Sequence, residues 1–338
     1  MKIIYIGNKL EKHNLNPTTI DNLSPKLSQI FKVISVSSYK NKVLRFFHMA
    51  LASLFYNYEI MLIDTYSSNA KWFAIFCSKI AKFRMKQYIP YLHGGNIPKI
   101  VENKHSEFIK YLKGSKNIVV QPDYLNSLML QNGIMNSIKI PNFIDLENYP
   151  FKNRNCVDEV SILWVRAYQK IYNPKLMVEL CILLLQQGYK PRICMIGPEK
   201  DSSKSELLKL IKENKLEKYF IIKSRLSRNE WVNYSSGYNF FVNTSNVDNT
   251  PLSVIEAMAL GMIVISTNVG GLPKLIDDNV NGFLVDPNNA NNFFAVIKTI
   301  ISKEEINLSF KARKKAKTFD WFEVKEDWKR CFVSKNEI

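Results

Sequence analysis

The sequence predicts an α/β protein made of two consecutive doubly wound domains. Two observations carry this prediction. Short, continuously apolar runs alternate with helical patterns, as parallel strands covered on both faces require. The alternation then restarts near the middle of the 338-residue chain, beyond a polar, turn-rich stretch at 145–159. An apolar fraction of 46% and a charged fraction of 23% fit an ordinary globular protein.

The first half predicts six strands, at 2–7, 32–37, 59–65, 86–95, 117–122 and 137–142. A helix is expected around Lys71–Phe83. The longest apolar stretch, 43–64, is interrupted by polar residues that include Arg45 and Glu59. It therefore predicts a buried helix that leads into a strand, and not a membrane span.

The second half repeats the pattern. Strands are expected at 160–167, 192–197, 219–224, 238–245, 261–266 and 281–287. Helices are expected at 173–188, 203–216, 228–237, 290–301 and in the basic tail at 310–333. We therefore predict an N-terminal domain over 1–150, a C-terminal domain over 151–315, and a helix over 316–338 that packs back toward the first domain.

The chain is basic, with a net charge of +17. Residues 1–150 contain 19 Lys/Arg and 9 Asp/Glu, which gives +10, and the remainder contributes +7. This excess suits nucleic acid, anionic lipid headgroups or phosphorylated small molecules, and charge alone does not choose among them. The basic run at 311–317 is interleaved with Phe310 and Ala312, which favours a solvated helix face over a nucleic-acid patch.

Cysteine usage and the N-terminus indicate a cytoplasmic protein. Five scattered cysteines without a C-x-x-C pair suit a reduced compartment. The apolar run at the N-terminus is too short for a secretory signal. Four widely spaced histidines and the lack of a D-x-D motif give no metal-ligand set. We therefore expect neither a metal nor a cofactor.

Two carboxylates, Asp248 and Glu256, lie on either side of a predicted helix start. Acids beside a helix N-terminus, which attracts anions, are expected to serve another ligand, and sugar hydroxyls are natural partners. In the alternative interpretation, Asp248 only favours the helix dipole and Glu256 is a surface acid.

The start of that helix itself predicts an anion site. Thr250 is expected to cap the helix and Pro251 to occupy its first position. The backbone N–H groups near Leu252 and Ser253 would then be free to bind a phosphate.

The stretch "VNTSNVDNTPLSVIEAMALGMIVISTNVGGLPKLIDDNVNGFLVDP" (242–287) resembles the donor-site block of retaining, family 4-type glycosyltransferases, the glycosyl transferases group 1. That block has two acids with seven residues between them, then Ala-Met-Ala-x-Gly, a Gly-Gly turn and a Gly-x-Leu-Val strand. This chain departs from it where Asp248 replaces the usual first glutamate. The resemblance implies the GT-B fold, in which two Rossmann-like domains face each other across a cleft.

The same resemblance implies roles for further residues. Arg166 and Lys170, in "SILWVRAYQKIYNP", would bind the donor diphosphate. His93, before Gly-Gly in "YLHGGNIP", would reach the donor sugar, and Gly7 would lie in the first phosphate-side loop. The implied catalytic residues are His93, Asp248, Arg166 and Lys170. The implied donor-binding residues are Gly7, Arg166, Lys170, Ser224, Arg225, Leu226, Asp248, Thr250, Leu252, Ser253 and Glu256.

The implied reaction moves a hexosyl or N-acetylhexosaminyl group from a UDP- or GDP-linked donor to a glycan or lipid-linked acceptor, with retention. Bacterial surface polysaccharide assembly is the expected context, and the basic first part would suit an anionic membrane surface at the inner face of the cytoplasmic membrane. One alternative is a nucleotide-sugar epimerase or hydrolase on the same fold. Another is a basic nucleic-acid-binding protein, although the sequence offers no nucleic-acid motif.

Overall fold

The computed structural model describes residues 1–13, 18–154, 159–302 and 307–333. The chain forms two compact units: one contains Met1–Pro141 and the segment that begins at Val324, and the other is Asn142–Glu323. The predicted domain limits at 150 and 315 thus both fall inside the second unit. Cys156, beside the first of these limits, lies outside the described residues.

The first unit is built on a six-stranded parallel sheet of order β2-β1-β3-β4-β5-β6. Its strands are β1 (Lys2–Ile6), β2 (Lys32–Val36), β3 (Ile60–Tyr66), β4 (Gln87–His93), β5 (Ile118–Val120) and β6 (Ser137–Lys139). The connecting helices are α1 (Thr19–Leu27), α2 (Lys42–Phe55), α3 (Lys71–Phe83), α4 (Ile97–Glu102), α5 (Ser106–Lys113) and α6 (Asp123–Gln131). Almost every residue of β1, β3 and β4 is buried, as in a sheet covered on both faces.

The second unit has its own six-stranded parallel sheet, of order β12-β11-β10-β7-β8-β9. Its strands are β7 (Ser161–Val165), β8 (Arg192–Ile196), β9 (Phe220–Lys223), β10 (Phe240–Asn243), β11 (Ile263–Thr267) and β12 (Phe283–Val285). Its helices are α7 (Leu176–Gln186), α8 (Ser203–Glu213), α9 (Arg228–Ser235), α10 (Leu252–Ala259), α11 (Leu272–Leu275), α12 (Ala290–Ile301) and α13 (Leu308–Lys317). The two predicted α/β series are therefore confirmed.

The strand order of the second unit reverses between β7 and β10. From β7 the chain proceeds outward through β8 and β9, and it then returns to build β10, β11 and β12 on the other side. In open parallel sheets the ligand crevice lies at such a point, beyond the carboxyl ends of the strands. The residues that follow β7 and β10 are therefore expected to line this crevice.

A last helix, α14 (Trp321–Phe332), carries the chain back into the first unit. The Trp328 ring is fully buried and lies 5.3 Å from the Tyr91 ring. The Phe332 ring lies 5.3 Å from the Phe31 ring, and the Asn117 side chain donates to the Cys331 carbonyl at 2.7 Å. The chain thus leaves the first unit at Pro141 and rejoins it through α14.

Two helices test the expectations on burial. On α13, Ala312 and Ala316 are buried and Lys311 and Lys314 are exposed, while Arg313 donates to the Tyr149 and Ala259 carbonyls, so only part of the basic run is a solvated helix face. The expectation of a buried helix within 43–64 is wrong, because α2 leaves a row of large apolar side chains in solvent. Periodicity identified the helix but does not show whether another element covers its outer face. Among the described residues, no helix is long and apolar enough to cross a membrane.

Candidate active site

An ion pair joins two predicted site residues at the switch point of the second sheet. Arg166 directly follows β7, and Asp248 lies on the loop after β10. Arg166 Nη2 contacts Asp248 Oδ2, and both side chains are largely buried. The Arg166 guanidinium also stacks over the Tyr172 ring, with its carbon 4.3 Å from the ring centroid. The family resemblance implied a phosphate-binding Arg166 but not its contact with Asp248.

These contacts leave one hydrogen-bond donor of Arg166 without a partner among the described residues. Within the described ranges, its Nε atom is buried and has no hydrogen-bond partner. Burial lowers the pKa of the guanidinium from its usual value. A buried guanidinium donor without an acceptor is unfavourable, and an anionic oxygen would relieve it.

Asp248 is held from several directions. Its Oδ1 accepts from the Asn249 amide at 3.0 Å, and its Oδ2 lies 3.0 Å from Ser245 Oγ. The Gly-Gly turn packs against its backbone: Gly271 N donates to the Asp248 carbonyl at 3.0 Å, and Gly270 has a φ of +56°. A Cβ on Gly270 would overlap that same carbonyl. The glycine pair therefore fixes the Asp248 loop by close backbone approach.

The helix start differs from the prediction by one residue. Pro251 is the N-cap, in extended conformation, and α10 begins at Leu252, so the expectation that Thr250 caps the helix is wrong. The Thr250 carbonyl instead accepts from Asn142 Nδ2 at 3.0 Å. Ser253 Oγ, in the first turn, is buried and without a partner in the part of the chain that the structure describes. The first turn of α10 thus presents its amide end and a hydroxyl beside the Asp248 loop.

Glu256 is a buried carboxylate, which contradicts the alternative of a surface acid. Tyr149 donates its hydroxyl to Glu256 Oε1 at 2.6 Å, and Arg228 Nε lies 3.3 Å from the same oxygen. Burial raises the pKa of Glu256 above its usual value, although these two partners act in the opposite direction. Both contacts engage Oε1 and fix the direction of the carboxylate.

Lys170 lies on a 3-10 turn, Lys170–Tyr172, that is joined to the loop after β10. The Asn246 amide donates to the Ile171 carbonyl at 2.8 Å, and the Lys170 amide donates to Asp201 Oδ2 at 3.0 Å. Beside this turn is a polar cavity of about 300 Å³. Its lining includes Lys170, Asn173, Lys175, Asp201, Ser203 and Asn246. With Glu206 also in the lining, two acids face two lysines, and the cavity suits a small polar group.

Three more of the predicted donor-binding residues, Ser224, Arg225 and Leu226, lie further along the sheet. Ser224 and Arg225 are exposed and Leu226 is half-buried. They follow β9, the edge strand, which is two strands from β7. The structure therefore places these three residues apart from the Arg166–Asp248 pair, on the same carboxyl edge of the sheet.

The other two predicted residues belong to the first unit. His93 ends β4, and its Nε2 lies 3.0 Å from Asp64 Oδ1. The Tyr5 hydroxyl donates to the same oxygen at 2.8 Å, and the Asp64 side chain is fully buried. Asp64 Oδ2 has no partner among the described residues, and a Cβ added to Gly7 would lie 2.5 Å from it. The structure thus brings His93 and Gly7 to a single buried carboxylate.

Sequence reasoning missed the partners of these residues. Asp64 interrupts the apolar strand "IMLIDTY", and a carboxylate inside a buried strand is a signal that could have been read. Tyr149 and Arg228 lie far from Glu256 in the sequence and gave no such signal. No group of three or more His, Cys, Asp or Glu side chains arranged to hold a metal is found in the described ranges.

A family model decides the classification. The model of the glycosyl transferases group 1 matches residues 145–318, which is more than half of the chain and contains the Arg166–Asp248 pair and Glu256. The chain belongs to this glycosyltransferase family. Membership in this family favours sugar transfer over the epimerase, hydrolase and nucleic-acid-binding alternatives.

Similar proteins act on diverse acceptors, as their names state. A Campylobacter jejuni N-acetylgalactosaminyltransferase that uses a diphospho-undecaprenol-linked substrate is 30% identical over 55% of this chain and 50% of its own length. A poly(ribitol-phosphate) α-N-acetylglucosaminyltransferase of Staphylococcus aureus is 21% identical over 71% of this chain and 54% of its own. The chain thus spans about half the length of these curated relatives. The amylovoran biosynthesis glycosyltransferase AmsK of Erwinia amylovora is 22% identical over 84% of this chain and 75% of its own.

Solved structures share the fold over nearly the whole chain. HepE of Anabaena, in complex with UDP and glucose, gives a TM-score of 0.76 at 14% identity, covering 98% of this chain and 99% of its own. The lipopolysaccharide outer core galactosyltransferase WaaB gives 0.67 at 16% identity, covering 98% and 99%. Together with the two parallel sheets, these likenesses establish the GT-B fold.

Proposed function

We propose that this glycosyltransferase moves a hexosyl or N-acetylhexosaminyl group from a UDP- or GDP-linked donor to a glycan or lipid-linked acceptor, with retention at the anomeric carbon. The observation that carries the proposal is the buried Arg166–Asp248 pair next to the first turn of α10, in a member of this family.

The donor diphosphate would bind at the α10 end of this site. A helix N-terminus favours anions through its free amide groups. Arg166 Nε, which has no acceptor within the described chain, and the Lys170 ammonium would supply charge-assisted contacts. These groups would stabilise the charge that develops on the departing diphosphate.

The carboxylates would bind hydroxyl groups. Tyr149 and Arg228 both hold Glu256 Oε1, which leaves Glu256 Oε2 directed for a ribose diol. Asp248 and His93 would orient the transferred sugar. Ser224, Arg225 and Leu226 would border the base, and Gly7 would allow the first loop to approach the phosphates.

The reaction then needs no carboxylate nucleophile. The bond from the anomeric carbon to the diphosphate oxygen breaks, and the acceptor oxygen bonds to the same face of that carbon. The acceptor proton passes to an oxygen of the leaving diphosphate. Because this step uses only the two substrates, we propose that it proceeds without a metal or cofactor.

The similar proteins support a bacterial context. HepE was solved with UDP and glucose, and AmsK takes part in amylovoran biosynthesis. The Campylobacter jejuni relative acts on a diphospho-undecaprenol-linked substrate. We therefore place this chain in surface polysaccharide biosynthesis, on the cytoplasmic side of the membrane.

Thermal unfolding in the presence of UDP-, GDP- and ADP-linked sugars tests the proposal. A donor that binds only the folded chain raises the melting temperature. At a donor concentration of 100 times the Kd, the free energy of unfolding increases by about 2.7 kcal/mol. We expect one UDP or GDP sugar to stabilise the wild type and Glu213→Ala, a variant of an exposed acid on α8, but not Glu256→Ala.

The reaction products separate the remaining alternatives. With the identified donor and an acceptor preparation, NMR of the anomeric proton should show the donor configuration in the product. A free epimerised donor would instead indicate an epimerase. A free sugar as the only product would indicate a hydrolase.

A further inference from the structure

The helices α2 and α3 expose an unusual surface on the first unit, and we propose that it docks the protein onto an anionic lipid bilayer. We call this surface the α2–α3 face. Docking goes beyond sugar transfer and does not depend on it. Its apolar members are Val43, Leu44, Phe47, Leu51, Leu54, Phe55, Trp72, Phe76 and Phe83, each more than one-third exposed.

On α2 the usual polarity of a surface helix is reversed. Leu44, Phe47, Leu51 and Leu54 recur at intervals of three and four residues, which places them on one side of the helix. That side faces solvent, while the covered side carries Met49, Ala52 and Ser53 among its buried residues. A contiguous apolar patch of this kind is rare on a protein that meets only water.

The neighbouring helix α3 extends the patch. The Phe46 ring on α2 lies 5.4 Å from the Phe73 ring and 5.0 Å from the Phe76 ring. These rings, together with Trp72, line an apolar groove of about 350 Å³ that also contacts Lys79. The two helices therefore form one surface.

The C-terminal ends of both helices meet at the most exposed part of the face. The Arg84 guanidinium donates to the Ser53 and Tyr56 carbonyls, at 3.1 and 2.7 Å, and so links the end of α3 to the end of α2. Beside this link, Phe55 is 70% exposed and Phe83 is 81% exposed. Met85, the next residue but one, is 92% exposed.

The charges around the face identify its occupant. Residues 40–86 contain eight Lys/Arg and only two Asp/Glu, and neither α2 nor α3 contains an acid. Of the two acids, Asp64 is buried and Glu59 accepts from the Lys2 amide. The acid of the adjacent α5, Glu107, is already paired with Lys79 at 3.2 Å.

An apolar face rimmed by cations matches the interface of an anionic bilayer. Apolar side chains enter the acyl boundary, and Lys and Arg contact the headgroups. A second copy of this chain would instead bring two basic faces together, which electrostatics opposes. The charge pattern therefore favours lipid over self-association.

Co-sedimentation of the full chain with vesicles tests the proposal. At low salt, the wild type should bind vesicles of equal parts phosphatidylglycerol and phosphatidylcholine, and bind pure phosphatidylcholine weakly. Phe55→Ser/Phe83→Ser should reduce the partition coefficient roughly tenfold or more. Met135→Ser/Leu208→Ser removes exposed apolar side chains outside the face and should bind like the wild type.

A charge-matched pair tests the basic rim. Lys42→Glu/Lys82→Glu should weaken binding to the anionic vesicles far more than Lys32→Glu/Lys212→Glu, which changes the net charge by the same amount elsewhere. An equal loss of vesicle binding in the two variants would show that binding depends only on the net charge of the protein, and would overturn the role of this face.

Three further readouts keep the proposal falsifiable. Unchanged melting temperature and donor binding in the face variants would show that they fold and that their donor site is intact. Equal binding of the wild type to neutral and anionic vesicles would overturn the anionic specificity. A wild-type dimer that Phe55→Ser/Phe83→Ser dissociates, without vesicle binding, would assign the face to self-association. None of these outcomes decides the transfer reaction, which donor binding and product analysis test separately.

Discussion

The two units of this glycosyltransferase hold their buried carboxylates in different ways. In the second unit, both carboxylates of the candidate site form ion pairs with an arginine: Asp248 with Arg166, and Glu256 with Arg228. In the first unit Asp64 meets a tyrosine hydroxyl and a histidine ring, and its second oxygen has no partner among the described residues.

This difference indicates what each site is prepared to receive. A carboxylate paired with a guanidinium adds no net negative charge of its own beside an anionic donor. A carboxylate bound to a histidine instead controls the orientation of that ring. The site in the second unit is thus arranged to balance charge, and the site in the first unit is arranged to fix the orientation of the His93 ring.

The largest effect is expected from breaking the arginine pair. Arg166→Ala leaves Asp248 buried without its counter-ion, which should destabilise the second unit by about 3 kcal/mol and reduce transfer about 100- to 1000-fold. Urea unfolding and steady-state kinetics measure the two effects, with the exposed Arg225→Ala as control for stability. In Arg166→Ala/Asp248→Asn, stability should partly recover while activity does not. An inactive double variant as unstable as the single one would contradict the charge argument.

Two glycines next to the carboxylates should differ in their effect. Gly270→Ala combines a φ of +56° with overlap on the Asp248 backbone and should cost about 3 kcal/mol. Gly7→Ala meets the buried Asp64 carboxylate at 2.5 Å and the Ile20 side chain at 3.2 Å but no backbone atom, and should cost about 2 kcal/mol. Thermal unfolding compares them, and Gly95→Ala, where a Cβ meets no atom within 4 Å, is the control. A larger loss of stability for Gly7→Ala than for Gly270→Ala would contradict this prediction.

A smaller effect is expected for the orientation of His93. Asp64→Asn keeps the size of the side chain but changes its hydrogen bonding, so kcat should fall about 10- to 100-fold with little change in the KM of the donor. The informative comparison is with His93→Ala and the double variant. If Asp64 acts through His93, the double variant is no slower than His93→Ala. Additive losses would assign Asp64 a role of its own.

The smallest effect concerns the pH dependence of Glu256. Its pKa is raised above the usual 4.5 by burial, so its contribution to stability is full below that value and is lost as the pH rises through the folded pKa. Glu256→Gln stays neutral, and it should therefore melt about 2 °C higher than the wild type at pH 7, with the gain shrinking toward pH 4. Melting curves across this range measure it. Loss of the Arg228 pair should matter little, because Arg228 is 42% exposed. A gain that grows toward low pH would reverse the assigned sign.

Much of the fold could be predicted because local sequence determines it. Runs such as "EIMLIDT" and "GMIVIS" are too apolar for anything but covered strands, and the chain indeed buries β3 and β11. The acids 248 and 256 could be selected because their spacing around a helix start is a local property. The glycine pair at 270–271 could be selected because the family block that this stretch resembles contains a Gly-Gly turn.

The remaining features depend on contacts between distant residues. No spacing relates Tyr149 to Glu256, or Tyr5 to Asp64. The pairing of β1 with β3 brings Tyr5 to Asp64, and the packing of a distant loop on α10 brings Tyr149 to Glu256. The cap moved from Thr250 to Pro251 because the proline adopts an extended backbone. The outward face of α2 was missed because periodicity describes a helix and not its neighbours.

The return of α14 to the first unit has a consequence for synthesis. A ribosome completes Asn142–Glu323 before it makes Val324, so the second unit can fold while the first still lacks its final helix. The pockets that Trp328 and Phe332 later fill, against Tyr91 and Phe31, stay open during that interval. The first unit is therefore the part of a nascent chain that chaperones would shield the longest, although its residues emerge first.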